Sequence, residues 1–390
     1  MNIMLEKFKL EKLYANLFFL FFTAQILSPY ILGKTFYLEI CIAALNPFFW
    51  SWLKSNNNSN KIGIKYIFVL ICLFFIAICG HIDTAVKLII NFFLVVHLFY
   101  IYNKNLWKLE KYMVISIILA IFQFYFSLTD PNIAGLIGPS NIANIVWGDF
   151  ATPTYTNFFT VFLFPRVSGL SREAGFFASL ISVIIFFHFL EKNRIKKKLS
   201  IIYWIGYIIS FSKMSFVLFL AMIIDKAKKI IIYIPTFGGI ILFIMFMSVF
   251  SNLNKDFILD DATFLHRMGG YISLFNLNFE DLLLGINSMQ IGDIMSKSIL
   301  AYDLKSFAGL SGWIISNGII VAFIFFLMLY FLNINIVGML ILLAFTLNVS
   351  PDSNQNFVVL TYFIIFKYYT SNNNRIQLIK NIVYKNRKIQ

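Results

Sequence analysis

Apolar runs of roughly bilayer-spanning length recur along this 390-residue chain, each closed by a short polar or basic break. About 20 predominantly apolar residues let a helix cross a hydrocarbon layer. Within that layer only helices and closed barrels satisfy their own backbone groups. A barrel needs short alternating segments, and these runs do not alternate. The expected fold is therefore all-α, a polytopic transmembrane helix bundle of about 12 crossings and one membrane domain over residues 1–390. Charged residues make up only 13% of the chain, against about 25% in soluble domains.

The formal charge of +14 comes from 32 Lys and Arg against 18 Asp and Glu. In a soluble chain that excess suggests nucleic acid. Here it falls at the ends of apolar runs, where basic residues mark cytoplasmic loops. No nucleic-acid partner is expected; membrane lipids are. The spans read as about 13–32, 35–53, 62–80, 82–102 and 112–128, then 173–190, a pair of short helices within 200–224, 230–250, 312–332, 336–348 and 357–369. The basic N-terminus, Lys54 and Lys61, Lys104 to Lys111, Arg194 to Lys198, Lys226 to Lys229 and the basic tail all then fall on one side. That side is expected to be cytoplasmic, with both termini there. The first run lacks a small-residue cleavage site and reads as a retained span. Cys41, Cys72 and Cys79 lie in apolar runs without metal or disulfide spacing.

Two segments then lie on the opposite, external face. Residues 129–165 carry Asp130 and Asp149 and no Lys or Arg. Residues 251–310 carry four basic and seven acidic side chains, a balance of −3 against the sign of the whole chain. Within the second loop, 262–275 is expected to form an amphipathic helix on the membrane surface.

The charge anomaly is Phe164 to Ala178, where Arg166, Arg172 and Glu173 stand between two apolar segments. Ionisable groups at such a place default to a functional reading. Ser171 reads as an N-cap, so the sixth span starts at the external face with its free N–H groups toward the loops. Arginine suits bidentate phosphate contact, and Gly169 and Gly175 allow a tight turn and close backbone approach. The stretch is expected to bind phosphate or diphosphate. The competing reading is interfacial arginines paired with lipid headgroups or with Glu173.

Basic clusters flank both ends of 200–224, and its midpoint, Ser210-Phe211-Ser212-Lys213, is polar. One crossing would place Lys226, Lys228 and Lys229 outside, so a hairpin with Lys213 near its external tip is preferred. The competing reading is one long span with a snorkelling lysine. His266 and Arg267, in the large loop, complete a set of isolated cations on one face. Glu173 is the best-placed general base; Asp130, Asp149, Glu280 and Asp293 are further candidates. His81, His97 and His188 read as polar contacts of helices. No metal motif, Walker sequence or Gly-rich nucleotide loop is present, so neither a metal nor a cofactor is expected.

These residues resemble a known superfamily. Arg166-x-Ser168-Gly169-Leu170-x-x-Glu173, followed by Phe177-Ala178, is similar to the Arg-x-x-Gly-Leu/Phe-x-x-Glu-Pro motif of O-antigen polymerases (Wzy) and ligases. Ser210-Phe211-Ser212-Lys213 resembles that superfamily's Ser-Arg or Ser-Lys hairpin. His266-Arg267, Tyr271, Leu274-Phe275 and Leu284-Gly285-Ile286-Asn287 resemble its large-loop pattern, and Gly309 to Gly318 the entry to the next span. Ala174 stands where the family often has proline. Ligases commonly carry a His-Asn-type pair and then Gly-x-x-Gly; here Arg267 follows His266 and no second glycine follows Gly285, which favours polymerase.

The resemblance implies a GT-C-like bundle in the bacterial inner membrane. It implies polymerisation of oligosaccharide repeat units, with the growing glycan transferred from undecaprenyl diphosphate to an incoming lipid-linked unit. A lipopolysaccharide or capsule pathway and a chain-length regulator as partner go with it. Arg172, Arg267 and Glu173 would be catalytic; Arg166, Lys213 and His266 would bind the diphosphate. The alternatives are an O-antigen ligase acting on a lipid A core, a lipid-linked oligosaccharide flippase or transporter, and a scaffold without chemistry.

Overall fold

The computed structural model describes residues 2–56, 60–154, 160–161, 164–190, 197–212, 216–274, 277–286, 307–332, 334–352, 358–361 and 364. The first half holds α1 (Asn2–Thr23), α2 (Leu38–Ala44), α3 (Pro47–Asn56), α4 (Asn60–Ile78), α5 (Ile82–Asn103), α6 (Leu109–Thr129), α7 (Pro131–Leu136) and α8 (Pro139–Trp147). Then come α9 (Ala174–Leu190), α10 (Lys197–Ile209), α11 (Phe216–Lys226), α12 (Lys228–Ile231) and α13 (Thr236–Leu253). The remainder is α14 (Lys255–Asp260), α15 (Ala262–Ser273), α16 (Phe279–Leu284), α17 (Gly309–Phe331) and α18 (Ile336–Thr346). Two minimal antiparallel ladders interrupt the helices: β1 (Tyr30–Ile31) with β2 (Lys34–Thr35), and β3 (Thr160–Val161) with β4 (Phe164–Pro165).

The all-α expectation holds. Among the described residues four helices, α5, α6, α13 and α17, are long and apolar enough to cross a membrane. The chain is a multi-pass membrane protein on that ground. The surface pattern agrees. Helix α4 exposes Leu70, Phe74 and Ile78, and α13 exposes Ile241, Leu242, Met245, Phe246 and Val249. Contiguous apolar faces of this size suit hydrocarbon rather than water. The innermost helices are α18, every residue of which is buried, and α9, buried almost throughout as far as Phe187. Both are apolar on all sides, as a helix surrounded by other helices must be. Elsewhere aromatic rings fill the gaps between helices: Phe18 of α1 lies 4.6 Å from the His97 ring of α5, and Phe49 of α3 lies 5.1 Å from it. Lipid tails are as apolar as such side chains, so close packing rather than transfer from water holds these helices together.

Several boundaries differ from the sequence expectations, each for a local reason. The first apolar run does not continue as helix to residue 32. It ends at Thr23, and the chain turns through a 3-10 segment and the β1–β2 hairpin, with Gly33 at a φ of +77°. The second run is two helices, not one. Asn46 accepts from the N–H groups of Phe48 (3.1 Å) and Phe49 (3.3 Å), and with Pro47 it starts α3 afresh. The loop 129–165 is substantially helical, since Asp130 caps α7 by accepting from Asn132 (3.0 Å) and Ile133 (3.3 Å).

The interrupted reading of 200–224 is supported. Trp204 of α10 and Phe219 of α11 have ring centroids 6.4 Å apart. In one continuous helix, residues 15 apart would be separated by roughly 22 Å along the axis. The chain therefore turns back at Ser210-Phe211, where Phe211 has a φ of +44°. Lys213 lies outside the described residues.

Within 262–275, Ala262–Ser273 form a helix, α15, whose apolar side packs on protein. Leu265, Met268, Tyr271 and Ile272 are buried. Two glycines let it press onto the start of α17: a Cβ at Gly270 would come within 2.5 Å of Ser311 Oγ, and one at Gly269 within 2.9 Å of Phe307. Its amphipathic pattern faces protein.

Candidate functional site

The stretch 166–173 is held by two polar residues of α6. Gly169 N–H donates to Gln123 Oε1 (2.9 Å), while Gln123 Nε2 donates to the carbonyls of Gly169 (3.1 Å) and Ile137 (2.9 Å). Ser116 Oγ, two helical turns earlier on the same face, accepts from Leu170 N–H (3.0 Å). Gly169 has a φ of +57°, and a Cβ there would lie 2.5 Å from the Ser116 carbonyl. Only glycine fits both the conformation and the approach. Ser171 is not the N-cap: its hydroxyl donates to Gln25 Oε1 (3.1 Å). The first helical bond of α9 instead ends on the Glu173 carbonyl, from Phe177 N–H at 3.1 Å. Glu173 thus occupies the helix-entry position. Serine is the commoner cap, but here its hydroxyl satisfies a buried glutamine.

Arg166, following β4, and Arg267, on α15, converge on Glu173. A Cβ placed on Gly175 would sit 3.1 Å from both Arg267 Nη2 and Glu173 Oε1. The Nε atoms of Arg166 and Arg267 are both buried and have no hydrogen-bond partner among the described residues. Burial lowers the pKa of both guanidinium groups, and the Glu173 carboxylate opposes that shift in each. Arg166 lowers that of Arg267 further by like-charge repulsion. Arginine starts so far above neutrality that both stay charged. Among the described residues, two cations face one carboxylate here, which leaves a positive charge uncompensated where solvation is poor. Each also keeps an unused N–H. An anion with several acceptor oxygens would supply both missing interactions. Tyr271, one turn after Arg267, is fully buried with its hydroxyl unpaired among the described residues.

Arg172 is placed differently. Its Nε donates to the Pro153 carbonyl (3.1 Å) and its Nη1 to Thr35 Oγ1 (3.0 Å), and Thr35 Oγ1 lies 3.1 Å from Thr152 Oγ1. It ties the β1–β2 hairpin to the segment after α8. His266 lies beside Arg267 in α15, where its carbonyl accepts from Ala308 N–H (2.6 Å). Asp130 is used as a cap. Asp149 and Glu280 are exposed, and Asp293 lies outside the described residues. Thus Arg166, Glu173 and Arg267 are brought together. Gln123 and Ser116 were missed by sequence reasoning; their signal was two polar residues seven apart in an apolar span.

Several of the segments assigned above to one face touch one another. Besides the contacts of Arg172, His81 Nε2 bonds the Leu284 carbonyl (3.0 Å), and Lys87 pairs with Asp352 (3.2 Å). These last two pairs border a concavity of about 670 Å³, between the α4–α5 turn, the end of α16 and the first half of α17. Among the described residues no three His, Cys, Asp or Glu side chains come together as metal ligands would. No family model, curated protein or solved structure matches the chain.

Proposed function

We propose that the protein polymerises lipid-linked oligosaccharide repeat units at the external face of the bacterial inner membrane, in a bundle of about 12 crossings with both termini cytoplasmic. The observation that carries this reading is the convergence of Arg166 and Arg267, from separate segments, on Glu173, with buried guanidinium Nε–H groups unpaired among the described residues. The residue motifs at Arg166–Glu173 and His266–Tyr271 supply the class of reaction.

In this reading the two arginines hold the diphosphate of the growing chain's carrier. The acceptor hydroxyl of the incoming unit attacks the anomeric carbon. The new glycosidic C–O bond forms as the bond from that carbon to the diphosphate oxygen breaks. The hydroxyl proton passes to a carboxylate, for which Glu173 is best placed. Undecaprenyl diphosphate leaves with the electron pair, and preorganised guanidinium groups stabilise the charge that develops on it. Arg172 acts through loop position, and Lys213 and His266 are supplementary contacts.

Deleting the gene in its host and examining the glycan tests this. Loss of a polymerase leaves single repeats on the lipid core. Loss of a ligase leaves long chains on the carrier, and loss of a flippase leaves lipid-linked units on the cytoplasmic face. Either of the latter two results overturns the assignment.

A further inference from the structure

The concavity of about 670 Å³ is not used by the arginine site. Its wall includes Ala308 and Gly312. The same segment holds α15 by its backbone, Ala308 N–H donating to the His266 carbonyl (2.6 Å) and Ser311 Oγ to that of Arg267 (3.2 Å). The two places therefore adjoin through the junction of α15 and α17.

The cleft is rigidly built. Gly285 (φ +85°) and Gly318 (φ +79°) meet backbone to backbone, so that a Cβ on either would clash with the other's segment. Ile286 N–H donates to the Ile315 carbonyl at 2.8 Å, and α17 breaks its helical conformation at Gly318. Buried Thr84 donates to Asn317 Oδ1 (2.6 Å), and Asn317 Nδ2 donates to the Trp313 carbonyl (2.9 Å).

Its chemistry differs from that of the arginine site. Lys87 is paired with Asp352, whose second oxygen accepts from Ser350 at 2.9 Å. Asp83 is exposed, lines the cleft and adds a further negative charge, so its described lining does not favour an anion. His81 Nε2 faces a carbonyl, which only accepts, so that nitrogen carries a hydrogen. Trp313 lines the cleft, is 4% exposed, and its indole N–H has no acceptor among the described residues. An uncharged ligand offering many hydroxyl donors and acceptors, with apolar C–H faces for an indole, matches this mixture.

We propose that this cleft binds an uncharged stretch of glycan, apart from the diphosphate. The choice of a saccharide among polyhydroxyl ligands rests on the polymerase reading. Purified full-length protein in lipid nanodiscs would be dialysed to equilibrium against end-labelled, phosphate-free oligosaccharides cut from the host's surface glycan. The wild type binds. Trp313→Phe, which keeps the packing and removes the N–H, and Asp83→Asn, at an exposed position, each weaken binding about tenfold. Arg267→Ala binds as the wild type, and inorganic pyrophosphate does not compete. No binding by the wild type, unchanged binding by both cleft variants, or competition by pyrophosphate would overturn the proposal. If oligosaccharide binding behaves as stated while Arg267→Ala still makes long chains, the cleft stands and the transfer reading falls.

Discussion

Arg267, on α15, and Arg172, just before α9, are chemically alike, yet their partners separate them. Arg267 has a buried Nε without an acceptor among the described residues. Arg267→Lys keeps the charge but loses the planar fork. It should lower chain elongation at least about tenfold at equal protein level, read as glycan length on gels. Arg172 already donates to Pro153 and Thr35. Arg172→Ala should lower unfolding stability by about 1–3 kcal/mol, seen as a lower thermal midpoint in detergent. Both arginines were visible in the sequence, Arg172 as a charge between apolar runs and Arg267 as an isolated cation of the large loop. Their different fates were not, because Thr35 is 137 residues from Arg172 and no local pattern links them. The same holds for Gln123, 46 residues from the glycine it clamps.

At the scale of single elements, two glycines of one short stretch make opposite predictions. Gly169→Ala meets a φ of +57° and a Cβ 2.5 Å from the Ser116 carbonyl. It should destabilise the protein by more than about 1 kcal/mol, with a lower thermal midpoint and less folded protein. Gly175 lies in the first turn of α9, where alanine is the better helix former. Its added methyl would come closest to Arg267 Nη2 and Glu173 Oε1, each at 3.1 Å. Gly175→Ala should therefore keep or raise the thermal midpoint while cutting elongation, a split that a merely structural glycine would not give. Element existence was well foreshadowed by apolar run length. Breaks within runs were less so, since Asn46-Pro47 acts through capping and Gly318 through a close approach of α16. The amphipathic pattern of α15 was legible, but periodicity cannot say whether the apolar face meets lipid or α17.

For the whole molecule, a few contacts join segments that charge alternation places on one side. Glu11 accepts from Tyr100 (2.6 Å) and the Glu110 carbonyl from Tyr203 (3.0 Å), contacts of the side that charge alternation places opposite Thr35, His81, Arg172 and Asp352. Cysteines introduced into a background free of the three native ones test this. In intact cells with a permeabilised outer envelope, Leu32→Cys and Asp149→Cys should react with a membrane-impermeant maleimide, and Lys104→Cys and Lys229→Cys only after lysis. Labelling of all four, or of the second pair alone, contradicts the topology. The central claim is that Arg166 and Arg267 hold a lipid diphosphate during glycan transfer. Its most direct test is elongation by purified protein supplied only with lipid-linked repeat units. The wild type should yield a ladder of lengthening glycans in EDTA, and Arg267→Ala single units alone. A full ladder from Arg267→Ala at equal protein would contradict the account.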